Sequence, residues 1–264
     1  MVDHDLDHDL SARMREYYSS THEYFEHIRC YHGHDYFDSL TRALRRARVA
    51  LAGRTILDLG SGTGEILGVL KRDYGASFTG VGADISLIGC RMQEHGFPVN
   101  ADAKRLPFRD ETFDLVILSD VLEHIPAPQA ALAEAHRVAQ RGGHVLLRTP
   151  NYRCPALGQY SWRRLDRCLA GVLAARPHSL DETPELQPVL EAGKVGGDAD
   201  ACSAIMADAL WRSCRALGGQ PVAYETWAGL GWRIPLLRVF NWWPVIRHIG
   251  GTCTILYRKT ERAL

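Results

Sequence analysis

Two hydrophobic periodicities divide this chain. Between positions 10 and 28, Leu10, Met14, Tyr17, Tyr18, Thr21, Tyr24, Phe25 and Ile28 recur at three- and four-residue spacings, which predicts one amphipathic helix. A second helix is predicted over 36–52, with Leu40, Ala43, Leu44 and Ala47 on its apolar face. Beyond it, short apolar runs at 55–59, 77–83, 99–102, 114–119, 144–149, 221–227 and 252–259 read as strands. Helices are predicted between them: one opening at Glu65, one from Ser86 to about position 95, one over 128–140 stopped by Gly142 and Gly143, and one over 201–217. Alternating strands and helices make an α/β sheet with helices on both faces. The unbroken apolar run 114–119 agrees, because a parallel strand is covered on both sides. The opening 1–9, which alternates Asp, His and Leu, is expected to be disordered.

The first strand runs directly into Gly60, Gly62 and Gly64, and Glu65 then begins a helix. Strand, glycine turn and helix N-terminus together form a nucleotide-sized pocket with amide groups pointing into it. The hydride-cofactor fingerprint needs a glycine where Glu65 stands, and the phosphate loop needs a Gly-Lys-Ser/Thr that is missing here. What remains is D-x-G-x-G-x-G, from Asp58 to Gly64. Asp84 stands at the tip of the second strand, where a carboxylate can accept two hydrogen bonds from ribose hydroxyls or cap the following helix.

The glycine turn and the run Asn-Ala-Asp-Ala-Lys-Arg-Leu-Pro-Phe-Arg-Asp-Glu-Thr-Phe-Asp-Leu-Val from Asn100 resemble the class I methyltransferases, the second motif looking like their type 11 branch. The resemblance covers roughly 54–151. It implies a Rossmann-like, seven-stranded mixed sheet with helices on both faces, whose last strand is antiparallel. It also implies S-adenosyl-L-methionine as methyl donor and transfer to a nucleophilic O or N, while the aromatic lid and C-terminal insertion suggest a sizeable, partly apolar small molecule such as a secondary metabolite as acceptor. The cofactor set it implies is Asp58, Gly60, Ser61, Gly62, Gly64, Asp84, Ile85, Asp102 and Ala103, with Ser119 and Asp120 against the amino-acid portion. Tyr17, Tyr18 and Tyr24, from an N-terminal helical cover, are placed near the methionine end or else pack in the core. His124, at the carboxyl end of the fourth strand, is the candidate general base, with pinning of its loop as the other reading.

In this reading residues 1–52 form a tail and cover, and 53–264 the catalytic domain. A lid insertion occupies about 152–197, and an aromatic-rich insertion with Trp232, Phe240, Trp242 and Trp243 occupies about 228–251. His32, His34, Tyr152, Tyr160 and Trp162 are the candidate substrate contacts, and the aromatic insertion is a candidate pocket wall or homodimer face.

Composition narrows the partners. The 31 basic and 31 acidic residues give no net charge, which argues against a nucleic-acid surface. Asn/Asp-Pro-Pro-Tyr, typical of enzymes that methylate DNA bases, is replaced after the fourth strand by Ser119-Asp120-Val121-Leu122. Seven cysteines without a C-x-x-C pair read as reduced thiols of a cytoplasmic protein. The Asp/His-rich start is unlike a signal peptide, and no apolar run is long enough for integral membrane association. His27, Cys30, His32, His34 and Asp35 lack the paired spacing of a structural zinc site, so no metal is expected. Two other functions fit the same fold: a non-methylating enzyme such as a cyclase, and a non-catalytic partner subunit that keeps the pocket.

Overall fold

A computed structural model describes residues 4–20, 22–31, 34–152, 179–190, 200–225 and 251–260. Most of the predicted lid and of the aromatic insertion lies outside them, as do His32, Tyr160 and Trp162. The elements that follow are those of the described residues.

The seven strands are β1 (Thr55–Leu59), β2 (Thr79–Asp84), β3 (Phe97–Asn100), β4 (Phe113–Ser119), β5 (Ala139–Pro150), β6 (Gly219–Glu225) and β7 (Thr252–Lys259). They form one sheet in the order β3-β2-β1-β4-β5-β7-β6. The first five are mutually parallel, and β7 enters antiparallel between β5 and β6. The sheet is therefore mixed and seven-stranded, as the resemblance implies.

Alternation along each strand builds two cores. Leu57, Leu59, Val116, Leu118, Val145, Leu147, Cys253, Ile255 and Tyr257 face α6 (Pro128–Val138) and α7 (Ala207–Ala216). Ile56, Leu115, Ile117, Leu146 and Leu256 face the other way, onto α3 (Asp38–Arg46) and α4 (Glu65–Tyr74). Neighbouring residues thus send their side chains to opposite layers, so a one-residue slip in any central strand would exchange the layers.

Several boundaries differ from expectation, each because a distant contact outweighs the local pattern. The chain is helical from His4, in α1 (His4–Ser20), and the predicted first helix is divided between α1 and α2 (His22–Tyr31). The Ser20 hydroxyl donates to the carbonyl of Tyr17 at 2.8 Å and so competes with the helical ladder. The second predicted helix becomes a 3-10 turn, His34–Phe37, followed by α3, which ends before Arg48 adopts a left-handed φ of 55°. Helix α5 (Leu87–Met92) stops early because Gln93 turns towards the glycine loop, where its side chain accepts the Ser61 hydroxyl at 3.1 Å.

Strand β3 lies two residues earlier than expected and leaves Asp102 in a tight turn bridged to Arg105. Gly142 and Gly143 do not stop α6. They lie in an irregular stretch of β5, where the pairing jumps from Phe113↔Ala139 to Leu115↔His144. The helix ends instead at Val138, where the Lys259 ammonium donates to the carbonyls of His136, Arg137 and Ala139. The predicted helix over 201–217 begins only at Ala207, since the amides of Cys202 and Ser203 are taken by the carbonyl of Glu123. Strand β6 also starts two residues earlier than read.

Candidate functional site

The site lies where the strand order reverses, outside the carboxyl ends of β1, β2 and β4. Gly60 and Gly62 leave β1 with φ of 76° and 52°. The amides of Gly60 and Ser61 both donate to the carbonyl of Ala83, which ties the turn to β2. The three glycines have different reasons to be there. A Cβ on Gly60 would collide with the Val121 side chain. One on Gly64 would come within 2.8 Å of Gln93 and 2.9 Å of the carbonyl of His95. Gly62 alone faces open space, its nearest neighbour being the Phe25 ring at 3.9 Å.

Above the turn is a cavity of about 250 Å³. Of the predicted cofactor residues, Gly60, Ser61, Gly62, Asp84, Ile85, Asp102, Ala103, Ser119, Asp120 and Tyr18 line it, and so does His124. Asp58, Gly64 and Tyr17 do not. Gly64 starts α4 in a left-handed conformation, and Tyr17 packs edge-on against Tyr18 at 5.2 Å between ring centres. Tyr152 is also away from the cavity, with its amide bound to the carbonyl of Ile205. His34 opens the 3-10 turn, and its side chain is outside the described residues.

Three acids around the cavity are held from behind. Asp84 accepts the amide of Gly62 on Oδ2 and that of Ser86 on Oδ1, each at 2.8 Å. Burial raises its pKa, and those two amides oppose the rise. Ser86 caps α5 through Gly89 and donates to the carbonyl of Tyr18 at 2.6 Å, which fixes α1 over β2. Asp102 accepts the amide of Lys104 at 2.9 Å, with the Arg15 guanidinium 3.6 Å away. Asp120 has a left-handed φ of 53° and a crowded Oδ2. That oxygen accepts the Tyr36 hydroxyl at 3.0 Å, the Ser119 hydroxyl at 2.9 Å and the Arg148 guanidinium, which stands 4.1 Å above the Tyr36 ring.

Asp58, beneath the turn, is 1% exposed, and neither carboxylate oxygen has a hydrogen-bond partner among the described residues. Burial pushes its pKa well above the ordinary carboxylate range, with the charges of Glu65 and Asp84 adding to the effect.

Sequence reasoning missed Phe25, Tyr36, Glu65, Lys104 and Asp200 as lining residues. Glu65 and Lys104 flank recognised motifs and could have been included. Asp200 carries no local signal: it reaches the cavity because the 200–206 segment is strapped onto the turn bearing His124.

A family model described as a methyltransferase domain matches residues 57–147. A ubiquinone biosynthesis O-methyltransferase of Pseudomonas paraeruginosa is 33% identical over 111 residues, 39% of this chain. The chain spans about half, 47%, of the length of that relative. A demethylmenaquinone methyltransferase of Roseiflexus castenholzii is 33% identical over 190 residues, 65% of this chain and 75% of that protein. Among solved structures, a methyltransferase of Haloferax volcanii in complex with the Trm112 activator superposes with a TM-score of 0.57. At 15% identity over 94% of this chain and 98% of that one, the likeness shows the fold alone. The overlap with the Roseiflexus protein places the chain by descent as well as by shape: it belongs to the class I S-adenosylmethionine-dependent methyltransferases.

Proposed function

We propose that this chain transfers a methyl group from S-adenosylmethionine to an oxygen or nitrogen of a small molecule, with a hydroxylated ring as the first acceptor to try. One observation carries the reading: Gly62, Asp84 and Asp102 open onto the same cavity as His124. The names of the relatives, which include a ubiquinone biosynthesis O-methyltransferase and a demethylmenaquinone methyltransferase, support the choice of a ring. A small, partly apolar acceptor suits the aromatic wall of Tyr18, Tyr24, Phe25 and Tyr36. Among the described residues no helix is long and apolar enough to cross a membrane.

The residues present fit the cofactor on three counts. Gly62 is a cradle that a Cβ would fill. The lining holds Glu65, Asp84, Asp102, Asp120 and Asp200 against Lys104; Arg148 on Asp120 and Arg15 beside Asp102 offset two of these charges, and the remaining excess still favours a ligand carrying positive charge. Asp58, which does not line the cavity, is a buried carboxylate with no hydrogen-bond partner among the described residues, and positive charge brought into the cavity above the turn would ease its burial through space. When bound, the cofactor supplies an electrophilic methyl on a sulfonium.

The chain's own contribution is mainly placement. Asp84 would hold the ribose hydroxyls, because each of its oxygens keeps one lone pair after accepting an amide. Asp102 and the amide of Ala103 would hold the adenine edge. Tyr18, Tyr24 and Phe25 cover the cavity from the N-terminal helices and exclude water. His124 would take the proton from a hydroxyl acceptor.

The test has two stages. Calorimetry with S-adenosylmethionine should show stoichiometric binding. Incubation with demethylated quinols and catechols, followed by mass spectrometry, should show a product heavier by one methylene. Binding without any gain of mass across that panel counts against the acceptor class, and absence of binding counts against the whole reading.

A further inference from the structure

One carboxylate oxygen in the cavity gathers side chains from two distant parts of the chain, the N-terminal helices and the turn after β4. Oδ2 of Asp200 accepts the Tyr18 hydroxyl at 2.7 Å and the Tyr24 hydroxyl at 3.4 Å, and lies 3.6 Å from Nδ1 of His124. Asp200 is 7% exposed, and among the described residues no lysine or arginine pairs with it. Its place is set by backbone. The amides of Cys202 and Ser203 both donate to the carbonyl of Glu123, and the Ser203 hydroxyl donates to the carbonyl of Ile125 at 3.0 Å. These bonds bracket His124 on its 3-10 turn, Leu122–His124. Asp200 and His124 are therefore held together by the strapping of one segment over the other. The opposite ring nitrogen, Nε2, lies 3.9 Å from Oε1 of Glu123, whose Oε2 accepts the Thr149 hydroxyl at 2.9 Å. Among the described residues, the groups facing the imidazole include Glu123 on its own turn, Asp200 on the strapped segment and Tyr18 on α1, whose ring centre is 6.5 Å from that of His124.

We propose that Asp200 is the positioning residue for His124: it keeps the imidazole proton on Nδ1, so that Nε2 carries the lone pair that receives the acceptor's proton. This rests on reading the cavity as the transfer site. A carboxylate beside one ring nitrogen selects the tautomer and steadies the imidazolium formed when the other nitrogen is protonated. In the step so served, the acceptor's O–H bond breaks and its proton goes to Nε2. The released oxygen pair forms the new bond to the methyl carbon, and the pair of the broken carbon–sulfur bond stays on sulfur. Tyr18 and Tyr24 fix Asp200 by donating to it, and burial together with Asp200 raises the pKa of both phenols well above its ordinary value, so both remain protonated donors.

Nitrogen-15 NMR of the histidine side chains in the full chain tests this at a pH where the ring is neutral, with His124 identified by its loss in His124→Gln. The expected result is hydrogen on Nδ1 of His124 in the wild type and a shift towards the Nε2–H form in Asp200→Asn. A wild-type ring with its hydrogen on Nε2 overturns the proposal, and this reading needs no variant of Asp200. Asp200→Asn should keep the far-ultraviolet circular dichroism spectrum of the wild type, which separates loss of fold from loss of positioning. On an acceptor that the wild type turns over, its kcat should fall by about 10²-fold with little change in KM. Equal kcat in the variant also overturns the proposal. Failure of every acceptor defeats the methyl-transfer reading alone, since the tautomer is read without turnover.

Discussion

Asp84 and Gly62 are joined by a hydrogen bond of 2.8 Å in which the carboxylate at the tip of β2 accepts the amide of the glycine turn. One acid thereby sets the distance between the turn and the start of α5, since it also accepts the backbone amide of Ser86, the residue that caps that helix. Asp84→Ala should abolish cofactor binding, and Asp84→Asn should weaken it by about 10²-fold, the scale of a lost charged hydrogen bond. Calorimetry reads both, and unchanged affinity in the alanine variant would count directly against the pocket.

Gly60 and Gly62 should separate folding from binding. Gly62→Ala places its methyl in open cavity and carries only the left-handed penalty, about 1–2 kcal/mol. It should fold and lose the cofactor. Gly60→Ala adds a collision with Val121 to the same backbone penalty, so its loss should appear in Tm. Equal melting temperatures for the two variants would contradict this division.

Asp58 is expected to trade stability for affinity. Its carboxyl has a raised pKa in the folded chain, so between the unfolded value near 4 and that raised value the native state holds more protons, and stability falls as pH rises. Above the raised value the destabilisation is complete. Asp58→Asn should therefore raise the Tm of the ligand-free protein at neutral pH, by about 2–4 °C for each kcal/mol recovered. The same variant should bind S-adenosylmethionine more weakly. A drop in Tm would show that Asp58 has a partner in the ligand-free chain.

His136 gives the opposite slope. Burial, with help from the Lys259 charge, lowers its pKa to about 4, and its Nδ1 lies 3.3 Å from the Tyr257 hydroxyl. The unfolded chain then binds the extra proton first, so stability is lost as pH falls from about 6.5 towards 4. Urea denaturation across that window should give a flatter profile for His136→Gln than for wild type; parallel profiles would remove His136 from the account.

The parts of the fold that show in the sequence are those whose cause is local. The alternation of Cys253, Ile255 and Tyr257, the turn at Gly60 and Gly62, and the Ser86 cap each depend on neighbours a few residues away, so pattern and chemistry reveal them. Asp84 and Asp102 are legible because the first ends a strand beside the glycine turn and the second lies in the turn just after a strand, within a recognisable run. Asp200 and Tyr36 are not, because their partners, His124 and Asp120, are 76 and 84 residues distant and nothing near them marks the meeting. The same holds for Gly142 and Gly143, which read as a helix stop and serve instead in a strand irregularity that exists only once β4 is alongside.

The place of β7 has a consequence during synthesis. The last strand of the sheet in chain order lies between two made earlier, so a nascent polypeptide that ends at Glu225 presents the rims of β5 and β6 with no strand between them. Each rim is a row of free backbone groups open to any extended peptide. Until Thr252–Lys259 leaves the ribosome, β5 keeps one edge unpaired and β6 has no neighbouring strand to hold it in the sheet.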